Sequence, residues 1–285
     1  MANLAVLYSG SPEEHPAVKF TAALAAALRV PAESRFMAGV RAIIGPEQWR
    51  EYQTILGLEG FANARPIFDE QFQSLLTERL RNAEAELAKL PEAGSFARGP
   101  AIELLHMPET TFATFGFTYD LLLASFDADP VIPELLIGQT LIRGGGPIAL
   151  IKEAPHFEKF SDSTVIVAWK PLAAAKRALQ NALPLLRVAK RVCVVTANEY
   201  GESAMNPDAS AVALYLSACH QIRATPHMLP SADSPEAQLT EFYREVGADL
   251  MVMGGYSHSR LKELLFGGFT QYFTEKKVCN LYQAH

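Results

Sequence analysis

Met253-Gly254-Gly255, Ser257-His258 and Gly267-Gly268-Phe269 are the residues whose types and spacing could do chemistry in this chain. Glycines let backbone N–H groups approach an anion with no Cβ in the way. A glycine loop at the carboxyl end of a buried strand therefore suits a phosphate. Ser257 adds a hydroxyl, and His258 and Arg260 add cationic character just past the turn. Gly267-Gly268 ahead of Phe269-Thr270 present N–H groups at a helix start. This is chemistry for holding an anion, not for breaking a bond. No Gly-x-Ser-x-Gly, Walker loop or Ser-His-Asp spacing occurs. His220 and His227 are too far apart for a helical metal pair, and His106, His156 and His285 stand alone. A binding protein rather than an enzyme is expected, with no catalytic residue and no metal site assigned. The alternatives are a surface role for His258 and a purely structural loop.

The loop needs a strand to carry it. Leu250 to Met253 is a continuous apolar run, as in a parallel strand covered on both faces. Upstream, Thr164–Trp169 predicts a strand with a Lys170-Pro171 turn, then a helix to about Val188 that contains Pro184. Val192–Val195 is the next strand, 209–222 is helical, and Thr225–Leu229 is a strand whose Pro226 suits a sheet edge. Ser234-Pro235-Glu236 opens a helix ending near Gly247, and Val278–Tyr282 is the last strand.

The first half follows the same scheme. Leu4–Tyr8 is a strand, Ser11 caps the turn before Pro12, and 18–28 is an alanine-rich helix. Arg35–Val40, Ile102–His106, Tyr119–Ala124 and Ile148–Ile151 are further strands. A helical segment carries Trp49 and Tyr52, and 68–90 is a long amphipathic helix. Leu4 matches Val165, and Asp120-Leu121 matches Asp249-Leu250, which points to a duplicated α/β domain rather than one large sheet. The expected domains are 1–155, with an insertion near 35–90, and 160–285, joined by the polar stretch 152–162. Asp120 and Asp249 invite a catalytic reading, but turn chemistry before a buried strand is the simpler account.

The stretch Gly254, two residues, Ser257, nine residues, Gly267-Gly268 resembles the C-terminal signature of the universal stress proteins, in which Ser257 replaces a glycine and Gly268 a hydroxyl residue. The resemblance spans the second half and, more weakly, the first. It implies a tandem form: two flavodoxin-like (Rossmann-like) domains, each a five-stranded parallel sheet flanked by helices. It implies a stress-response module that binds an adenine nucleotide, ATP with Mg²⁺, in at most the second half. The nucleotide would lie between the end of strand one at Lys170, the end of strand two at Val195, and the loop from Met253 to Phe269. Lys170 stands where nucleotide-binding members have an Asp. The first half has Asp127 and Asp129 in place of a glycine loop, which would repel phosphate. The alternative within the same family is an interaction protein without nucleotide. The resemblance also implies a homodimer through the edge strand Val278–Tyr282; duplication within one chain is the other way to cover that edge.

Composition sets the outer bounds. Hydrophobic residues make up 49% and charged residues 20% of 285, enough for about two packed domains. The net charge of −6 gives no case for nucleic acid or a membrane as partner. Three scattered cysteines, Cys193, Cys219 and Cys279, argue against a disulfide framework and for a cytoplasmic setting. Glu13-Glu14 falls where a cleavable signal needs an apolar run, and no run is long enough to span a bilayer.

Overall fold

A computed structural model describes residues 1–8, 11–41, 81, 85–86, 88–98, 102–103, 108–127, 133, 136–197, 209–230, 232–255 and 268–285. The expected helix around Trp49 and Tyr52 and most of the expected 68–90 helix lie outside these residues.

The first half begins with β1 (Leu4–Tyr8), all five residues buried, as its unbroken apolar run requires. Pro12–Glu14 form a single 3₁₀ turn that runs into α1 (His15–Ala27). The Glu14 carboxylate reaches back to the Ser11 N–H at 3.0 Å, a capping-box contact. The chain continues through β2 (Arg35–Arg41), the two-residue strands β3 (Ala97–Arg98) and β4 (Ile102–Glu103), α2 (Pro108–Thr118), β5 (Leu121–Ser125), a π-helix (Leu136–Arg143) and β6 (Ile148–Ile151). The second half holds β7 (Thr164–Ala168), α3 (Ala173–Val188), β8 (Arg191–Thr196), α4 (Ala209–His220), β9 (Ala224–Met228), α5 (Pro235–Glu245), β10 (Leu250–Gly254), α6 (Gly268–Lys276) and β11 (Leu281–Ala284).

Within each half the strands are parallel and the order is strand three, two, one, four, five. The sequence alignment of the halves survives in the register. Leu4 pairs with Leu121 as Val165 pairs with Leu250. Leu122 pairs with Ile148 as Met251 pairs with Leu281. Each half is doubly wound: α1, α3 and α4 pack on one face with Leu24, Leu185 and Leu216, and α2, α5, α6 and the π-helix pack on the other with Phe112, Tyr243, Phe273 and Leu141.

The two parallel halves are as expected, and they join edge to edge. The two halves share one 11-stranded sheet, because β11 pairs antiparallel with β6, Leu281 opposite Leu150 and Gln283 opposite Ile148. The edge that argued for a homodimer is thus covered inside the chain. The last strand also starts later than expected, at Leu281 rather than Val278. Asn280 is the cause: its side chain is committed to the seam, accepting from Lys152 N–H (2.7 Å) and Glu153 N–H (3.0 Å) and donating to Asp249 O (3.0 Å). The strand then takes in Gln283, a polar residue that is 0% exposed and that a hydrophobic pattern passes over. β9 is an edge strand, as Pro226 suggested. Leu229 N–H donates inward to Thr196 O, so by alternation the missing N–H of Pro226 falls on the outward side.

Among the described residues, one helix ends on a left-handed glycine and three on a left-handed residue that is not glycine, Arg29, Gln221 and Lys277. Gly247 closes α5 at φ 60°, with Ala248 N–H bonded to Tyr243 O. Arg29 holds the same left-handed position after α1, at φ 55°, with Val30 N–H on Ala25 O. Arg29→Gly is expected to stabilise the protein by about 1 kcal/mol by removing that strain, read as a higher denaturation midpoint.

Candidate functional site

The strand order reverses direction between β7 and β10, and ligands of such sheets bind at the carboxyl ends beside that point. The Gly254 end of β10 meets the start of α3 there. A Cβ on Gly254 would lie 2.5 Å from Ala175 N and 2.7 Å from Ala174 C. Glycine is therefore required for close packing of helix on strand. Among the described residues the glycines with positive φ are Gly145 and Gly247, so Gly254-Gly255 makes no left-handed turn. Gly255 is also committed: its N–H donates to Ala284 O at 2.8 Å, and its carbonyl lies 3.2 Å from His285 Nδ1. The Leu141 side chain of the first half covers its Cα side.

The other expected site residues sort as follows. Met253 (4% exposed) and Val195 (1%) are core residues under α5 and α6, and the Val195 carbonyl accepts from Trp169 N–H at 2.8 Å. Lys170 is exposed in the turn after β7, and its carbonyl accepts from Leu172 N–H at 2.7 Å. Gly268 begins α6 and Phe269 packs on Phe273, ring centroids 5.2 Å apart. Ser257, His258 and Gly267 lie outside the described residues. The structure thus gathers Lys170, Gly254 and the β8 end on one sheet edge, sets Met253 into the core and leaves Phe269 half-buried against it.

Two features at that edge carry no motif. The first is the start of α3: its N-cap Leu172 gives no side-chain hydrogen bond, and its first turn has no acidic residue. Three alanines there leave the N–H groups and the positive end of the helix dipole unmasked by side chains. The second is Thr196 at the end of β8, whose buried hydroxyl finds no partner among the described residues. A lone threonine after an apolar strand gives no signal in sequence.

The first half answers position for position. Ser125 occupies the place of Gly254, and its hydroxyl donates to Glu13 O at 3.0 Å; Glu13 in turn corresponds to Ala174. Glu14, 0% exposed, takes the place of Ala175. The place that is apolar in the second half is filled in the first by the Ser125 hydroxyl, bonded to the Glu13 carbonyl, and by the buried Glu14 side chain, while the Glu13 carboxylate stays exposed. Asp127 is neutralised by Lys152 at 2.7 Å, and Lys277 from the second half donates to Phe126 O at 2.7 Å. Asp249 accepts from Thr164 N–H at 2.8 Å, and Asp120 accepts from Asn3 N–H at 3.2 Å and from Ala2 N–H. Both aspartates thus tie strand four to the start of strand one, the turn role expected of them.

The cysteines sort by burial. Burial pushes the Cys279 thiol up to about 12 and raises Cys193, while Cys219 is exposed on α4. A thiol reagent at pH 8 is expected to modify Cys219 alone in the native protein and all three cysteines in denaturant. The buried Tyr243 and Tyr282 hydroxyls are likewise raised by desolvation. Groups raised in the folded state stabilise fully below their unfolded values of about 9 to 10, and that contribution is lost as pH climbs toward the folded ones. Alkaline unfolding is the expected result.

Neither any protein-family model nor any curated protein matches this chain. Solved structures do. A universal stress protein from Archaeoglobus fulgidus DSM 4304 superposes with a TM-score of 0.62 at 15% identity, covering 99% of this chain and 98% of the other. A functionally unknown protein from Pseudomonas aeruginosa PAO1 gives 0.55 at 12% identity, over 99% and 92%. No helix among the described residues is long and apolar enough to cross a membrane. Identities this low carry the fold, and over its full length that fold is the two-half α/β architecture of a universal stress protein structure.

Proposed function

We propose that the chain is a stress-response module of the universal stress type, with one adenine-nucleotide site in its second half and none in its first. The difference between the two crevices supports this reading. Among the described residues around β7 and β10, the first turn of α3 has no side-chain cap and no acidic residue, with Lys170 and the Thr196 hydroxyl on the same edge. Around β1 and β5, the Ser125 hydroxyl on Glu13 O and the buried Glu14 fill the equivalent place. The second-half residues suit an anion. The phosphates would meet the α3 start and the loop after Gly255, and a Mg²⁺ ion would arrive on the nucleotide. Gly254 serves by letting α3 come close, not as a phosphate ligand.

Native mass spectrometry with ATP and Mg²⁺ tests this. One nucleotide per chain is expected, weakened about tenfold in Thr196→Val by loss of one hydroxyl contact to a charged ligand. Two nucleotides per chain, or none up to millimolar ATP, would sink it. The second reading is an interaction protein with no nucleotide. It is favoured by the Gly255 backbone, whose N–H and carbonyl are both engaged by the end of β11. A mass that ignores ATP while the protein captures a partner would support that reading.

A further inference from the structure

The net charge of −6 conceals a division. Residues 1–162 carry 21 acidic and 13 basic side chains, whereas residues 163–285 carry 10 and 12. Between Ser163 and Asn198 there are six basic residues and no acidic one, and between Ala209 and Ala232 there is Arg223 and no acidic one. The acids Glu199, Glu202 and Asp208 fall in 198–208, after the carboxyl end of β8 and outside the described residues.

The fold concentrates this charge. α3 and α4 cover the same face of the sheet. Lys176 and Arg177 are exposed on α3, Arg187 is exposed in its last turn, and Lys190 and Arg223 are exposed before β8 and β9. Arg191 is not part of this face: Val192 packs toward α3 and α4, so Arg191 turns to the other side of the sheet, where its guanidinium donates to Val246 O at the end of α5. Asp162 is exposed before β7. The α4 helix adds a different element. It contains no Asp, Glu, Lys or Arg, and it turns Leu214 (69% exposed) and Tyr215 (36%) to solvent. The Tyr215 hydroxyl lies 2.8 Å from His220 Nε2, and His220 Nδ1 is 3.4 Å from Arg187 Nη2, so the apolar and basic parts are contiguous.

We propose that the α3–α4 face docks on an anionic lipid surface. Clustered Lys and Arg gain energy near anionic headgroups, and exposed Leu and Tyr enter the headgroup boundary. The acidic first half would be repelled by the same surface, which orients the molecule with α3 and α4 downward. A nucleic acid would use the cations but gains little from Leu214 on an uncharged helix, which favours lipid.

Co-sedimentation of the full chain with phosphatidylcholine vesicles, with and without phosphatidylserine, tests the proposal. Binding only to the phosphatidylserine vesicles is expected, lost at high salt. Lys176→Glu/Arg177→Glu/Arg187→Glu should weaken it about a hundredfold. Leu214→Ser should weaken it severalfold with no change of charge. The melting temperatures of both variants are compared with the parent's, so that an unfolded variant is recognised and replaced by its Gln counterpart. No binding to anionic vesicles, or binding indifferent to both variants, overturns the proposal. So does binding to DNA or RNA oligonucleotides that falls with the charge variant, ignores Leu214→Ser and has no vesicle counterpart.

Discussion

Gly254→Val is expected to destabilise the protein by about 3 kcal/mol or more and to lower its melting temperature by about 10 °C. The clash is with backbone: Ala174 C, Ala175 N and Ala175 Cα all fall within 3.0 Å of an added Cβ. A side chain could rotate away, but the first turn of α3 cannot withdraw without leaving the sheet. The matching position gives the control. Ser125→Gly removes two hydrogen bonds, the hydroxyl's donation to Glu13 O and its acceptance from Asp127 N–H at 3.1 Å, and should cost about 2 kcal/mol. A Gly254→Val protein that melts like its parent would mean that α3 and β10 do not approach as described. It also follows that loss of ligand binding in a Gly254 variant reports unfolding, so Thr196 is the better probe of the site.

Asn280→Leu should be nearly as damaging, at about 3 kcal/mol, and its effect should be confined to the joint between the halves. The side chain bonds Lys152 N–H, Glu153 N–H and Asp249 O, and at 3.3 Å Glu153 O. Leucine nearly preserves the volume and leaves these groups without partners, which is the expensive way to lose a hydrogen bond. The measurement is calorimetric: one cooperative transition in the parent and two separated ones in the variant. A single unshifted transition would show that the strand ladder alone holds the halves together.

Much of this fold was legible. The match of Leu4 with Val165 and of Asp120 with Asp249 survives residue by residue, because an Asp that bonds the neighbouring strand's N–H needs a fixed place before strand four. Pro226 marked the edge for a comparable reason. What was not legible depends on contacts between distant segments. Nothing local says that Ser125 and Gly254 are equivalents, or that one closes a crevice while the other admits a helix. The continuous sheet was hidden because Gln283 breaks the apolar pattern of β11. The net charge of −6 averaged an acidic half with a basic face. The glycine loop drew attention to hydrogen-bond donors, yet Gly254 serves by its missing side chain and Gly255 has already given its N–H to Ala284.

The seam between β6 and β11 buries two polar groups that find no partner among the described residues, the Tyr282 hydroxyl on one face and the Gln283 amide on the other. Two separate chains would have to overcome that penalty at their own dilute concentration. Here the linker through residues 152–162 holds the second strand at an effective concentration in the millimolar range, whatever the amount of protein in solution. A junction too weak to survive as an encounter between free molecules can persist as an internal one. The covalent link therefore relaxes selection on the seam itself. It also leaves each half free to diverge, so that one crevice can close while its twin stays open.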